Sequence, residues 1–342
     1  MENNLITIHD IAKALGIDSS TVSRALNNSN RVSLKTKKKI IDKANELGYQ
    51  RNLLASNLRR NKTNTIGVIV PRISRYFFSS AISGIEKTAF EKGYNVIICQ
   101  SLEQLEREEN LINTLAANRV DGIIMSVSME TLNYNHLDGL KKNGTPIVIF
   151  DRHCDIPDRN NVLLDDFAGA FEATNHLIEE GCINIVHFSG PKNLNVYRNR
   201  LKGYKAALEK HEIPFRENLV LNSHLMQEDG ITLAEKVLRL PESIDGIFSA
   251  NDVAAIGAMQ YLKQKGINIP KDIAMVGFSN GPTSAVMDPP LSTIDQSGGK
   301  MGELSANLLF EQLQIKPLER ESKTIIVKPS LLIRESSKKK KK

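Results

Sequence analysis

The residues that look most ready for chemistry lie in Gly277-Phe278-Ser279-Asn280-Gly281, which matches the G-x-S-x-G turn that exposes a nucleophilic serine. That serine needs a general base, and in α/β-hydrolases the chain order is serine, acid, histidine. No histidine follows His224, so Ser279 has no downstream base and a hydrolase is rejected. Gly298, Gly299 and Lys300 lack the spacing and preceding strand of a Walker loop. The seven histidines are scattered, with no pair at metal-ligand spacing. His187 sits in an apolar run and reads as a core residue. No constellation supports catalysis, and no cofactor or metal is expected.

Two polar sets remain. Asp151 follows the apolar run IVIF, Arg200 opens RLKG, and Asn251-Asp252 follows IFSA at a helix start. A carboxylate, a guanidinium fork and a capping amide suit a polyhydroxylated or anionic small molecule. Each has an ordinary alternative, Asp252 as a helix cap and Arg200 as the partner of a surface acid, and the sequence leaves both open. The second set is Ser19, Ser20, Ser23 and Arg24, a short polar surface that suits base edges in a DNA major groove. Its alternative is an ordinary corner between two helices of a larger core.

The elements that would carry the second set are short helices. Ile8, Ile11, Ala12 and Leu15 fall at i, i+3, i+4 and i+7, and Thr7 with Asp10 makes a capping box. Gly16 supplies the positive φ that ends this helix. Asp18 caps a second helix, whose Val22, Ala25 and Leu26 return to the same core. A third helix starts at Ser33, with Ile40, Ile41, Ala44 and Leu47 as its buried face. Lys35, Lys37, Lys38 and Lys39 crowd its first turns against the helix dipole, so phosphate neutralisation explains them better than helix stability. Leu53, Leu54, Ala55 and Leu58 then line about two helical turns, too few to persist without a partner surface.

From Thr65 the pattern becomes strand–helix alternation, with β-rich runs at Ile66–Val70, Val96–Cys99, Gly122–Met125 and Ile147–Phe150. A second series runs through Ile183–Phe188, Gly246–Ser249 and Ile273–Phe278. Two doubly wound halves with parallel sheets are expected, with ligands at the carboxyl ends of the strands. The loops to watch begin at Pro71, Ser126, Asp151, Ser189, Ala250 and Ser279.

Charge separates the two regions. Of the net +6, residues 1–62 carry +7, the five-lysine tail +5 and residues 63–337 therefore −6. A basic head on a mildly acidic body is the footprint of a nucleic-acid-binding module attached to something else. No apolar run is long enough to span a membrane, and the N-terminus lacks the pattern of a signal peptide. Cys99, Cys154 and Cys182 read as buried thiols of a reducing cytosol.

The whole chain, from about Thr7 to Arg334, resembles the lactose/galactose-repressor family of bacterial transcription regulators. The resemblance rests on TIHDIAKALGIDSSTVSRALN, RVSLKT and ELGY in the head, and on TNTIGVIVP, VDGIIM, PIVIFDR, RLKGYKAAL, FSANDVAAIGA and DPPLSTIDQ in the body. It implies an α/β protein, a small all-α helix-turn-helix head plus a periplasmic-binding-protein-like domain of two doubly wound subdomains. The expected divisions are a headpiece at 1–48, a hinge helix and linker at 49–62, an effector and dimerisation domain at 63–337 and a lysine tail at 338–342. Within the body, one subdomain takes about 63–161 plus 292–323 and the other about 162–291 plus 324–337. The implied function is an effector-controlled repressor that binds double-stranded operator DNA as a cytoplasmic, nucleoid-associated homodimer.

By the same resemblance Thr7, Ser19, Ser20, Thr21, Ser23, Arg24, Asn27, Arg31 and Lys38 face DNA, with Ala55, Leu58 and Arg59 at the minor groove. Ser74, Phe77, Ser126, Asp151, Arg200, Asn251 and Ser279 would meet a sugar, sugar phosphate or similar metabolite. Two positions depart from the family: Arg51 stands where proline is usual, and Ser279 stands where aspartate is usual. The tail lacks heptads, so a four-helix tetramer is not expected. The competing function is a cytosolic sugar-binding protein with an incidental basic head, against which the intact helix-turn-helix stands.

Overall fold

The computed structural model describes residues 6–49, 62–153 and 159–339. Arg51, Ala55, Leu58 and Arg59 of the expected hinge, Cys154 and the last three lysines lie outside the described residues. The chain divides into two compact units, Met1–Thr63 and Asn64–Lys342.

The described residues of the first unit form three helices, α1 (Ile8–Leu15), α2 (Ser19–Leu26) and α3 (Leu34–Glu46). Ile11, Ala12, Val22, Ala25, Val32, Ile40 and Ala44 form its core. The Asp10 carboxylate accepts from the Thr7 backbone amide at 2.8 Å and from the Thr7 hydroxyl at 2.7 Å, which fixes the start of α1. Gly16 closes that helix at φ 64°, where a Cβ would be strained. Two features of α3 correct the sequence reading. Ile41 is 46% exposed, because Lys37, Ile40 and Ala44 hold the core-facing stripe and Ile41 lies a further 100° round the helix. Lys37 is buried, with Nζ donating to the Asn28 side-chain and main-chain oxygens at 2.8 and 3.2 Å. It ties α3 to the end of α2 and is not a phosphate contact.

The second unit holds two six-stranded sheets. The first contains β1 (Thr65–Val70), β2 (Asn95–Gln100), β3 (Gly122–Met125), β4 (Ile147–Phe150) and β5 (Asn160–Leu164). With a late strand at Thr324–Val327, its spatial order is 324–327, β5, β4, β3, β1, β2, and all pairs are parallel. The second sheet contains β6 (Ile185–Ser189), β7 (Val220–Asn222), β8 (Gly246–Ser249), β9 (Ala274–Phe278) and β10 (Ser292–Asp295). Its order is 330–332, β10, β9, β8, β6, β7, with only the Ser330–Leu332 strand antiparallel. The central strands are buried along their length, apart from Thr65 at the start of β1, as parallel sheets covered by helices on both faces require.

The chain passes between the sheets three times, after Leu164, after Asp295 and after Val327. These crossings come later than the expected subdomain boundaries near 162, 292 and 324. In each case a short strand stays paired to the sheet it is leaving: Val162 with Ile325, Thr293 with Gly277 and Val327 with Leu164.

Helices α4 (Tyr76–Glu91) and Gly298–Gln314 cross closely over the first sheet. A Cβ on Gly84 would overlap the Gly299 carbonyl, and one on Gly302 would overlap the Ala81 carbonyl. Backbone cannot yield there as a flexible side chain can, so Gly302→Ala should destabilise the body by about 1–3 kcal/mol. Urea unfolding of the two proteins measures this, and an unchanged midpoint would contradict the packing described.

Candidate functional site

On the head, Ser20, Arg24 and Asn27 are exposed at i, i+4 and i+7 of the second helix and its cap, one stripe along its outer face. Arg31 and Lys38 are also exposed, whereas Ser19, Thr21 and Ser23 are half-buried. The Ser19 hydroxyl lies 2.9 Å from His9 Nδ1, and the Asn27 amide donates to the Ser23 carbonyl at 2.8 Å. Thr7 spends its hydroxyl on Asp10, whose carboxyl is held below the usual range by the hydrogen bonds from the Thr7 hydroxyl and backbone amide. The structure therefore leaves Ser20, Arg24, Arg31 and Lys38 available to a partner.

In the body, the carboxyl ends of both sheets enclose a cavity of about 110 Å³. Phe77, Asp151, Arg200, Asn251 and Ser279 line it. Ser74 is exposed and does not line it, and Ser126 is fully buried beyond it, with no partner for its hydroxyl among the described residues. Phe77, at the start of α4, packs its ring 6.4 Å from that of Phe150. Asp151 ends β4 with φ 63°, an uncommon conformation for a side-chain-bearing residue, and its carboxylate lies 3.9 Å from Arg152 Nε. Burial pushes its carboxyl up to about 7.

Arg200 rises from the helix Asn195–Lys210 and is 4% exposed. Nε and Nη2 reach Asp166 Oδ1 at 2.8 and 2.7 Å, Nη1 donates to the Ala250 carbonyl at 2.6 Å, and the guanidinium sits 3.7 Å over the Phe278 ring. Its acid is thus a buried one and not a surface one. Asn251 caps the helix Asp252–Gln264, accepting from the Ala254 amide at 2.8 Å and donating to the Leu225 carbonyl at 2.9 Å. Asp252 lies one residue inside that helix and is not its N-cap. Its carboxylate takes the Thr293 hydroxyl at 2.6 Å and the Gly281 amide at 2.9 Å, while burial pushes it up to about 6.

Sequence reasoning missed several lining residues. Arg152 pairs with Glu103 at 2.7 Å, and Arg75, Tyr197 and Gln296 also face the cavity. A signal existed for all but Tyr197: Arg75, Glu103 and Arg152 sit within five residues of a strand's carboxyl end, as does Gln296 beside Asp295, whereas Tyr197 comes from within the helix Asn195–Lys210. His187 behaves as a core residue, its ring 4.7 Å from that of Phe248, and burial pushes it down to about 4. Cys182 is buried and Cys99 half-buried. Among the described residues no cluster is placed to hold a metal, and no helix is long and apolar enough to cross a membrane.

Comparison with known proteins matches residues 63–335 to "Periplasmic binding proteins and sugar binding domain of LacI family" and residues 7–52 to "Bacterial regulatory proteins, lacI family". The ribose operon repressor of Halalkalibacterium halodurans is 33% identical over 336 residues, covering 98% of each chain. A LacI family regulator from Enterococcus faecium with bound ribose is 27% identical, covers 80% of this chain and 98% of its own, and superposes with a TM-score of 0.71. The lac repressor dimer bound to operator shares the fold at a TM-score of 0.86 and 24% identity, over 98% of this chain and 99% of its own.

The raised Asp151 carboxyl makes stability pH-dependent. Its ordinary value is 3.8, so the folded chain binds that proton more tightly than the unfolded chain between about 4 and 7. The contribution is complete at low pH and is lost as pH rises through about 7. Asp151→Asn should therefore lose less stability than the parent between pH 5 and pH 8, by more than about 1 kcal/mol, with Asp252 unchanged in both. Urea midpoints at the two pH values check this, and parallel slopes would contradict it.

Proposed function

The chain belongs to the LacI family of bacterial regulatory proteins, and from that premise we propose that it is a repressor whose hold on an operator is set by a small metabolite in its body cleft. Members of this family are DNA-binding transcription regulators with a periplasmic-binding-protein-like domain, not enzymes. The observation that carries the reading is one chain with two complementary surfaces. The head presents an exposed Ser20-Arg24-Asn27 stripe flanked by Arg31 and Lys38. The body encloses buried carboxylates and guanidiniums at its strand ends.

On this reading Arg24 meets a base edge, while Lys38 and Arg31 meet phosphates. Ala55, Leu58 and Arg59 would contact the minor groove at the operator centre, between the hinges of a homodimer. The cavity of about 110 Å³ is smaller than the several hundred Å³ typical of ligand pockets, so the effector enters as the two lobes part. A cytoplasmic, nucleoid-associated location follows from the DNA partner.

Arg24→Ala should cost about 1–3 kcal/mol on the cognate operator and relax preference at one base pair. Lys38→Ala should weaken all sequences alike and flatten the salt slope by about one. Fluorescence anisotropy with cognate and scrambled duplexes over a salt series separates the two. Equal indifference of both variants to sequence would remove Arg24 from the base edge.

A further inference from the structure

Three guanidiniums line the cleft, and two are committed. Arg200 is held by Asp166, the Ala250 carbonyl and the Phe278 ring. Arg152 is held by Glu103 at 2.7 Å. Arg75 stands apart. Its Nη2 reaches the Leu225 carbonyl at 3.4 Å and the Met226 sulfur at 3.0 Å, both uncharged and one a weak acceptor. A guanidinium has five N–H donors and stays charged in proteins, so most of this fork's capacity is unused by those contacts.

Two acids of the cavity, Glu103 and Asp252, cannot serve it without giving up other partners. Glu103 already takes Arg152 and the Met129 amide at 3.1 Å, and Asp252 takes Thr293 and Gly281. Partial burial of Arg75 raises the cost of its uncompensated charge, a cost that an incoming anion would remove. Its main chain is set at the N-cap of α4, where the Ser79 amide donates to its carbonyl at 3.0 Å, so the fork is presented from a fixed base. Asp151 offers the opposite chemistry in the same cavity. Its carboxylate forms an ion pair with Arg152 at 3.9 Å, too long for a hydrogen bond, so among the described residues its oxygens keep capacity to accept from hydroxyls.

We propose that the effector of this cleft is an anionic polyol, a sugar bearing a phosphate or carboxylate, with the anionic group bound by Arg75 and hydroxyls bound by Asp151. This rests on the reading of the cleft as the effector site. It also gives a role to Ser279, where a neutral hydroxyl replaces the aspartate usual in the family: one fewer negative charge faces an anionic ligand.

The test is isothermal titration of the full chain with a panel of pentoses and hexoses, each as free sugar, sugar phosphate and sugar acid. An anionic member should bind about tenfold or more tighter than its free sugar. Arg75→Gln should reduce that preference to within about threefold, and Arg75→Lys should keep part of it. The member that binds identifies phosphate or carboxylate as the source of charge. Binding by free sugars alone, binding by no anionic member, or a preference that survives Arg75→Gln would overturn the proposal. Asp151→Asn separates the two levels of the claim. If it weakens an anionic ligand that Arg75→Gln leaves unchanged, the cleft is the site and Arg75 is not its anion contact. If neither variant changes the affinity, the ligand sits elsewhere and the effector-site reading fails with it.

Discussion

The chain's three passages between its two sheets constrain everything else in the body. Each sheet is parallel through its centre, so its strand ends gather at one edge, and the crossings hold those two edges against one cavity. The Arg200–Asp166 pair sits at the first crossing. Asp166 is the second residue after Leu164, and Arg200 comes from the next long helix of the same lobe. The pair, the Ala250 carbonyl and the Phe278 ring fix the floor of the cleft. Removing one member would leave a buried charge without a partner, a loss of about 3–5 kcal/mol in comparable pairs. Arg200, the arginine that the sequence singles out for a ligand, is therefore part of the scaffold.

Around that floor the cleft is unevenly satisfied. Asp252 and Asn251 spend their polar atoms on the chain itself, holding a helix start and two loops. Asp151 and Arg75 spend theirs only in part, Asp151 on a long contact to Arg152 and Arg75 through one nitrogen on uncharged acceptors. Both sit where the backbone is set by the end of a strand or the start of a helix. Pre-organised groups with unspent capacity are what a small ligand can exploit at low entropic cost. The head follows the same division. Lys37 and Thr7 serve the head's own packing and capping, which leaves Ser20, Arg24 and Lys38 facing outward.

Much of this was legible in the residues. The helix pair of the head is written in the spacing of Ile11, Ala12, Val22 and Ala25, and the strands at 122–125 and 147–150 fall where their apolar runs end. The short strands at 160–164, 220–222, 292–295, 324–327 and 330–332 were not, because most mix polar residues into three to five positions, too few to show alternation and too polar to read as a continuous apolar run. Those strands decide where the chain changes lobes, so the subdomain boundaries moved with them. In the cleft, Asp151, Arg200 and Asn251 announce themselves after apolar runs. What each one bonds to depends on partners far along the chain, such as Asp166 or Leu225, and no local pattern encodes that. Ile41 and Lys37 show the same limit on a smaller scale, since a lysine stem can fill a core position that an isoleucine misses by one turn angle.

The central claim is that occupancy of the cleft and grip on DNA are linked through one chain. Linkage is reciprocal: if a ligand changes operator affinity by some factor, operator DNA must change ligand affinity by that same factor. The direct measurement is calorimetric titration of the panel member that binds most tightly, into the full chain alone and into its operator complex. The account predicts a shift in ligand affinity on DNA, typically about 5- to 150-fold, that equals the shift in operator affinity measured with and without ligand. Identical ligand affinity in the free chain and in the operator complex would contradict it.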